Sequence, residues 1–113
     1  MKSTVTLRSN RDFIRVYKRG RYLPGKYCVL HYMKNGRDHN RLGITTSRKV
    51  RGSVQRNRIR RLIRESYRLN EAGPKTGYDI VILGRETASE IGFDKMARDI
   101  IYLLKKAGIW SAG

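Results

Sequence analysis

The residues best suited by type and spacing to chemistry form a row of arginines between positions 56 and 68. Four of them follow one another at every fourth position: Arg56, Arg60, Arg64 and Arg68. A helix would place them on one side, where like charges repel by about 0.2–0.5 kcal/mol per pair. The only acid nearby, Glu65, is expected towards the other side of that helix. Because a guanidinium binds phosphate through a planar fork of donors, the row predicts a polyanion-binding surface. Two more side chains lie beside it: Asn57 and Arg61.

The junction that precedes this row, residues 47–53, adds a second set of bases. Arg48 and Lys49 stand just before a candidate helix start, where Gly52 or Ser53 can act as the cap. The N-terminus of a helix attracts phosphate, so the junction could hold an anion. The simpler alternative is an ordinary helix cap with solvated bases around it.

A third set of side chains is aromatic. Phe13 and Tyr17 are four residues apart and would share one face of a helix, while His31 and Tyr32 lie in a β-rich run. Aromatic rings among basic residues can stack on unpaired nucleotides. From spacing alone, packing in the hydrophobic core is the better interpretation of this set.

The side chains that usually carry catalysis are few and scattered. His31, His39 and Cys28 do not have the spacing of metal ligands, and the chain lacks a phosphate-binding glycine loop. The sequence therefore predicts neither a catalytic residue nor a protein-borne metal site. A lone cysteine and the lack of a long apolar run favour a cytoplasmic protein without a membrane partner. A membrane-surface helix is a weak alternative for residues 53–69, because the apolar side has no aromatic wedge.

The charge of the chain is extreme and unevenly placed. The formal net charge is +17 over 113 residues, a value that works against compactness unless an anionic partner is bound. Residues 79–113 carry five basic and five acidic side chains. The whole positive excess therefore lies in residues 1–78, which predicts a polyanion-facing part and an electrically neutral part within one domain.

Hydrophobic periodicity predicts one α+β domain over residues 1–113, with the order α-β-β-β-α-β-α. The predicted elements are a helix over 10–19, a possible edge strand over 21–23, strands over 27–33 and 41–46, a helix over 53–69, a strand over 78–83 and a helix over 93–107.

Local signals support these elements. Ser9 and Asp12 read as a capping box, and Gly20 as a helix stop. Asn35-Gly36 indicates a hairpin with a long loop, with strand 41–46 returning beside strand 27–33. Strands 41–46 and 78–83 are expected to be parallel neighbours, since a helix connects them. The side of helix 53–69 that is expected to be buried carries four apolar residues: Ile59, Leu62, Ile63 and Leu69.

With the elements placed, the segment Lys49–Glu65 with its Arg56-Asn57-Arg58 resembles the signature of the protein subunit of bacterial ribonuclease P. Three other segments resemble parts of the same family in the same order: Asn10–Gly20, Leu42–Thr45 and Tyr78–Ile82. Together these matches span nearly the whole chain. The match of the signature helix is specific to this family. Each flanking match is weak by itself, and the three together are strong.

The resemblance implies a fold and a function. The fold would be a mixed four-stranded sheet with a left-handed βαβ crossover, of the ribosomal protein S5 domain 2-like type. The enzyme is a ribonucleoprotein that removes the 5′ leader from precursor tRNA. Its RNA subunit, with Mg²⁺ held mainly by that RNA, carries the chemistry. The implied partners are ribonuclease P RNA and precursor tRNA, and DNA is not expected.

The resemblance also assigns residues. The surface that meets the catalytic RNA would comprise Arg56, Asn57, Arg58, Arg60, Arg61 and Arg64, to which the charge pattern adds Arg68, Arg48 and Lys49. Phe13 and Tyr17 match aromatic positions of the cleft that receives the leader. His31 stands where the family usually has tyrosine in that cleft, and the glycine at Gly52 is often one position earlier.

Two other classes of protein compete with this interpretation. A non-catalytic ribosomal or chaperone-like RNA-binding protein would bind RNA without depending on a 5′ leader. A protein-only nuclease would need clustered acids or a histidine pair, which the sequence does not offer.

Overall fold

A computed structural model describes residues 4–111, so residues 1–3 and 112–113 of the predicted domain lie outside the described part. The elements in chain order are β1 (Thr4–Thr6), α1 (Asn10–Arg19), β2 (Arg21–Pro24), β3 (Cys28–Lys34), β4 (Asn40–Thr46), α2 (Ser53–Leu69), β5 (Tyr78–Gly84), a short 3₁₀ helix (Glu86–Ala88) and α3 (Phe93–Lys106). None of the helices in this part of the chain is both long and apolar enough to cross a membrane.

The strands form one mixed sheet in the order β1-β4-β5-β3-β2. β4 pairs with β1 and β5 in parallel, while β3 pairs with β5 and β2 in antiparallel register. β5 takes the central place because its residues Ile80, Val81 and Ile82 are all buried, as a strand covered on both faces requires. The prediction of one α+β domain is confirmed.

Two details of the predicted sheet are wrong. The sheet has five strands, not four, because Thr4–Thr6 adds β1 at one edge. The expected hairpin between β3 and β4 does not form, since β5 lies between these two strands. The parallel pairing of β4 with β5 is confirmed, and the left-handed crossover stays a prediction.

The helices cover both faces of the sheet. Alternation along β5 turns Val81 towards α1, where it packs with Leu7 and Val16 in a small cluster. Ile80 and Ile82 point the other way, into the larger cluster formed with α2 and α3. The two faces therefore present different helices to solvent: α1 on one, α2 and α3 on the other.

The buried side of α2 differs from the predicted arc in its last turn. Ile59 and Ile63 are fully buried as expected, but Leu69 is 60% exposed. Tyr67 is buried instead, and its hydroxyl lies 3.3 Å from that of Thr4. This contact to the unpredicted edge strand β1 explains the difference, because the last turn of α2 packs where β1 extends the sheet.

The helices begin and end close to where the sequence predicts, but the predicted capping hydrogen bonds do not all form. Ser9 precedes α1 as expected, yet its side chain makes no capping hydrogen bond. The capping-box interpretation was therefore wrong, since the Asp12 carboxylate binds Arg15 and Arg41 instead. Gly52 precedes α2 with φ +81°, a left-handed conformation that favours glycine.

Asp79 is the centre of a buried ion network at the start of β5. Its side chain is 1% exposed and accepts hydrogen bonds from both Arg41 Nη2 (2.6 Å) and Arg41 Nε (2.8 Å). Asn35 donates at 3.0 Å, and Arg15 of α1 at 3.3 Å. Burial alone would raise the pKa of Asp79, but these donors and the charge of Arg41 outweigh it and hold the pKa below its ordinary value. The network fastens α1 and the β3–β4 loop to the sheet.

Replacing Asp79 by Asn should lower the free energy of unfolding at pH 7 by about 3 kcal/mol, because Arg41 then lacks its buried counter-charge. Since the pKa of Asp79 is depressed in the folded state, its stabilisation is present above about pH 4 and disappears as the pH falls further. Urea unfolding at pH 7 and at lower pH measures both effects. The exposed Asp38→Asn serves as the control, and equal stability of the two variants at pH 7 would contradict the network's importance.

Candidate nucleic-acid interface

The outward side of α2 carries the predicted basic surface. Arg61, Arg64 and Arg68 are exposed with Asn57, while Arg56 and Arg60 are half-buried. Arg61 and Arg64 have neither an ion-pair nor a hydrogen-bond partner among residues 4–111. The structure therefore brings most of the predicted arginines together on one solvent-facing strip.

Neighbouring polar groups hold some of these arginines in place. Arg60 donates to the Asn57 side-chain oxygen at 2.6 Å, and Arg56 donates to the carbonyl of Val50 at 3.3 Å. Each guanidinium has five N–H donors, so both keep donors for a ligand.

One expectation about the strip's charge was wrong. Glu65 does not lie away from the arginines, because its carboxylate is 2.9 Å from Arg68. Both side chains are about half exposed, and a solvated pair of this kind contributes little energy. The strip as a whole stays strongly positive.

Arg58 has a role that the sequence did not predict. Its guanidinium turns towards the segment after β5 and donates to the backbone carbonyls of Ala88 (3.3 Å), Ser89 (3.0 Å) and Ile91 (2.5 Å). The side chain thereby ties α2 to the start of α3. Its predicted contact with RNA stays a prediction, with fewer donors available for it than on Arg61 or Arg64.

The junction before α2 places two more predicted bases near the strip. Arg48 and Lys49 are exposed, and the chain is fixed beside them by buried Val50. The Ser47 hydroxyl accepts a hydrogen bond from the Lys49 amide at 3.2 Å. Within the described part of the chain no side chain caps the first turn of α2, so its N–H groups are open to an anion.

A row of aromatic rings lies on the other face of the sheet, beside α1. Phe13 and Tyr17 have ring centroids 6.4 Å apart, and Tyr17 meets His31 edge-on at 4.8 Å. Tyr22 of β2 continues the row, 5.9 Å from His31. Tyr17 is 40% exposed and Tyr22 is 65% exposed, so the row offers ring surface to solvent. We call these four residues the aromatic row.

Tyr32 does not belong to the aromatic row. Successive residues of a strand point to opposite faces, and Tyr32 pairs with Ile80 while His31 pairs with Val81. Tyr32 therefore lies on the α3 side. The sequence did not single out Tyr22. Its place opposite His31 comes from the pairing of β2 with β3, and the sequence offered β2 only as a possible edge strand.

Phe13 fits both interpretations of the aromatic residues, as part of the core and as part of a stacking surface. It packs against the small core cluster of Leu7, Val16 and Val81 and remains only half-buried. Its ring lies over Gly43, where an added Cβ would be 2.6 Å from the Phe13 Cζ atom. The aromatic row is thus anchored in the core at Phe13 and open at Tyr17 and Tyr22.

Burial disfavours the charged forms of two rings of the row, His31 and Tyr17. Burial lowers the pKa of His31 and raises the pKa of Tyr17. A neutral imidazole beside neutral phenol rings is a stacking surface with little charge of its own. Within residues 4–111, no group of three or more histidine, cysteine or acidic side chains is placed to hold a metal ion.

Comparison with known proteins gives consistent matches along the chain. The family model described as Ribonuclease P matches residues 1–108. A ribonuclease P protein component from Alkaliphilus oremlandii is 40% identical over 109 residues, covering 96% of each chain. Another, from Clostridium botulinum (strain Loch Maree / Type A3), is 43% identical over 106 residues, covering 93% of this chain and 96% of the relative.

Solved structures agree with these relatives. The RNase P protein of Staphylococcus aureus superposes with a TM-score of 0.82 at 30% identity, over 94% of this chain and 97% of that one. The RNase P protein from Thermotoga maritima gives a TM-score of 0.81 at 35% identity, over 89% and 96%. The fold described above is therefore the fold of these proteins.

The different positions of Arg58 and Arg61 predict different effects of their removal. Arg58→Ala should lower the free energy of unfolding by about 1.5–3 kcal/mol, because three carbonyls lose a charged donor. Arg61→Ala should change it by less than about 0.5 kcal/mol, since that side chain is exposed. Urea unfolding of the two matched variants measures the difference, and equal stabilities would show that the carbonyl contacts of Arg58 are unimportant.

Proposed function

The chain belongs to the ribonuclease P protein family, and we propose that it is the protein subunit of a ribonuclease P that removes the 5′ leader from precursor tRNA. In this proposal the protein binds a catalytic RNA and the leader, in the cytoplasm, and supplies no reacting group. The observation that carries it is the strip of outward arginines on α2, which among residues 4–111 only Glu65 partly neutralises.

The arginine strip suits the catalytic RNA. Arg60, Arg61 and Arg64 present guanidinium groups along one side of a 17-residue helix, a length that spans several phosphates of a folded RNA. Arg48 and Lys49 extend the charge to the helix N-terminus. Phosphate contacts of this kind position a protein on RNA without reading its sequence.

The aromatic row suits the leader. Tyr17, His31 and Tyr22 offer ring faces and edges in series, which fits successive unpaired bases of a single strand. The row and the arginine strip lie on opposite faces of the sheet, so one protein could hold both RNAs at once. His31 takes part in this proposal as a neutral stacking ring.

We place the Mg²⁺ of the reaction mainly on the RNA subunit. The acids near the aromatic row already bind protein groups: Asp12 and Asp79 are held by Arg15 and Arg41. Metal ions on the RNA would supply charge stabilisation at the scissile phosphate, and this chain's residues would bind and orient the substrate.

Reconstitution tests the proposal directly. Adding the protein to a ribonuclease P RNA at low Mg²⁺ should raise the rate of cleavage of precursor tRNA at the mature 5′ end above that of the RNA alone. Binding to RNA without stimulation of cleavage would favour a ribosomal or chaperone-like RNA-binding protein. Cleavage by the protein without RNA would favour a protein-only nuclease.

Removing two arginines from the strip should weaken binding to the catalytic RNA. For the double variant Arg60→Ala and Arg64→Ala, the slope of log affinity against log salt should fall by about 0.7–0.9 for each lost phosphate contact. A filter-binding series over salt concentration measures the slope. The matched control is Lys95→Ala with Arg98→Ala, two exposed bases of α3, and equal slopes for both variants would refute the assignment.

Removing the central ring of the aromatic row should weaken binding of the leader only. Tyr17→Ala should cost about 1–3 kcal/mol in affinity for precursor tRNA and leave the affinity for mature tRNA unchanged. Fluorescence titration of the reconstituted enzyme measures both affinities. Tyr102→Ala removes a comparably exposed tyrosine from α3 and serves as the control. A thermal melt separates a lost contact from a lost fold.

A further inference from the structure

A cavity of about 360 Å³ lies at the end of the sheet where β2 begins, β3 ends and β5 begins. Half-buried Tyr32 and Tyr78 line it together with Ala107, at the end of α3. Neither the arginine strip nor the aromatic row contributes to its lining. The cavity is therefore separate from both surfaces described above.

Three bases line the cavity and belong to three different elements: Arg19 ends α1, Arg21 starts β2 and Lys34 ends β3. All three side chains are exposed, and none has an ion-pair or hydrogen-bond partner in the described part of the chain. The described residues that line the cavity include no acid. The sequence could not show this cluster, because the fold alone brings the three bases together.

The electrostatics favour an anion despite one opposing effect. The carboxyl ends of α1 and α3 lie here, and each carries a partial negative charge of about half an elementary charge. Basic residues in the last turns, Lys18 with Arg19 and Lys105 with Lys106, exceed that charge. Arg21 and Lys34 add two further positive charges.

The lining of the cavity combines two half-buried tyrosines with three exposed bases, which is the chemistry that holds a nucleotide of a single RNA strand. A ring stacks on the base, and the cations bind the phosphates. The volume is near the lower limit of about 300–1,000 Å³ for small-molecule sites, so it suits one nucleotide and excludes a duplex.

Strand β2, at one edge of the sheet, contributes one residue to the cavity and one to the aromatic row. Arg21 and Tyr22 are successive residues of that strand, so they face opposite sides of the sheet edge. Arg19 ends the helix that carries Tyr17. We propose that the cavity between Tyr32, Tyr78 and Ala107, with its bases Arg19, Arg21 and Lys34, binds one unstacked nucleotide of the 5′ leader, beyond those on the aromatic row. This inference rests on the proposed function.

The test compares precursor tRNAs with a short and a long leader, of about four and about ten nucleotides, on the reconstituted enzyme. Reversing two charges with Arg21→Glu and Lys34→Glu should lower the affinity for the long leader about tenfold and leave the short one within about twofold. The control Lys95→Glu with Arg98→Glu makes the same change of net charge on α3 and should affect neither leader.

A second variant tests the binding of the nucleotide base separately from the binding of the phosphates. Ala107→Phe fills the cavity while keeping every positive charge, and the backbone there is ordinary helical conformation that accepts phenylalanine. It should abolish most of the advantage of the long leader over the short one, with the fold checked by a thermal melt.

The outcomes are distinguishable. Three results would overturn the cavity as a leader site. The variants could lose equal affinity for both leaders, or bind the isolated catalytic RNA more weakly. Alternatively, both variants could keep the full affinity for the long leader. If the unsubstituted protein itself shows no dependence on leader length, the proposed leader-binding function fails as well. If the affinity of the unsubstituted protein depends on leader length and the variants behave in the same way, only the assignment of the cavity is rejected.

Discussion

The pairing of Asp79 with Arg41 and Arg15 is the interaction on which the arrangement of this protein depends. The chain carries a net charge of +17, and its basic residues are concentrated before residue 79. Asp79 is a buried carboxylate placed where α1, β4 and β5 meet, so it neutralises arginines that would otherwise repel one another. Together with the packing of Val16 against Val81, this carboxylate positions α1 on the sheet, and with it Phe13 and Tyr17 of the aromatic row.

The remaining positive charge is sorted by the fold and not spread evenly. Arginines of α2 face solvent on one side of the sheet, while the rings of Tyr17 and Tyr22 are exposed on the other, with half-buried His31 between them. In the proposed function, a basic strip and a stacking surface on one sheet would hold two RNA segments at a fixed separation. Such positioning would matter for cleavage at a defined phosphate, since a misplaced substrate loses rate steeply.

The sequence predicted local features well and long-range placement less well. The bounds of α1 and α2 were correct because helical periodicity and stop signals such as Gly20 lie in neighbouring residues. Strand order was not, since nothing near Asn35-Gly36 reveals that β5 separates β3 from β4. β1 escaped because three residues are too few for a pattern, although Thr4–Thr6 is β-branched throughout. The carbonyl contacts of Arg58 and the ion network of Asp79 join distant segments, which spacing cannot show.

The central position of β5 has a consequence for how the protein is made. β3 and β4 each pair with β5 and not with each other, yet β5 is the last strand to be synthesised. A nascent chain that ends before residue 78 can form neither central pairing, so its basic segment lacks the strand that joins the two halves of the sheet. Pairings between distant segments also form slowly. The electrically neutral final third of the chain therefore sets the time at which the basic part becomes a folded protein.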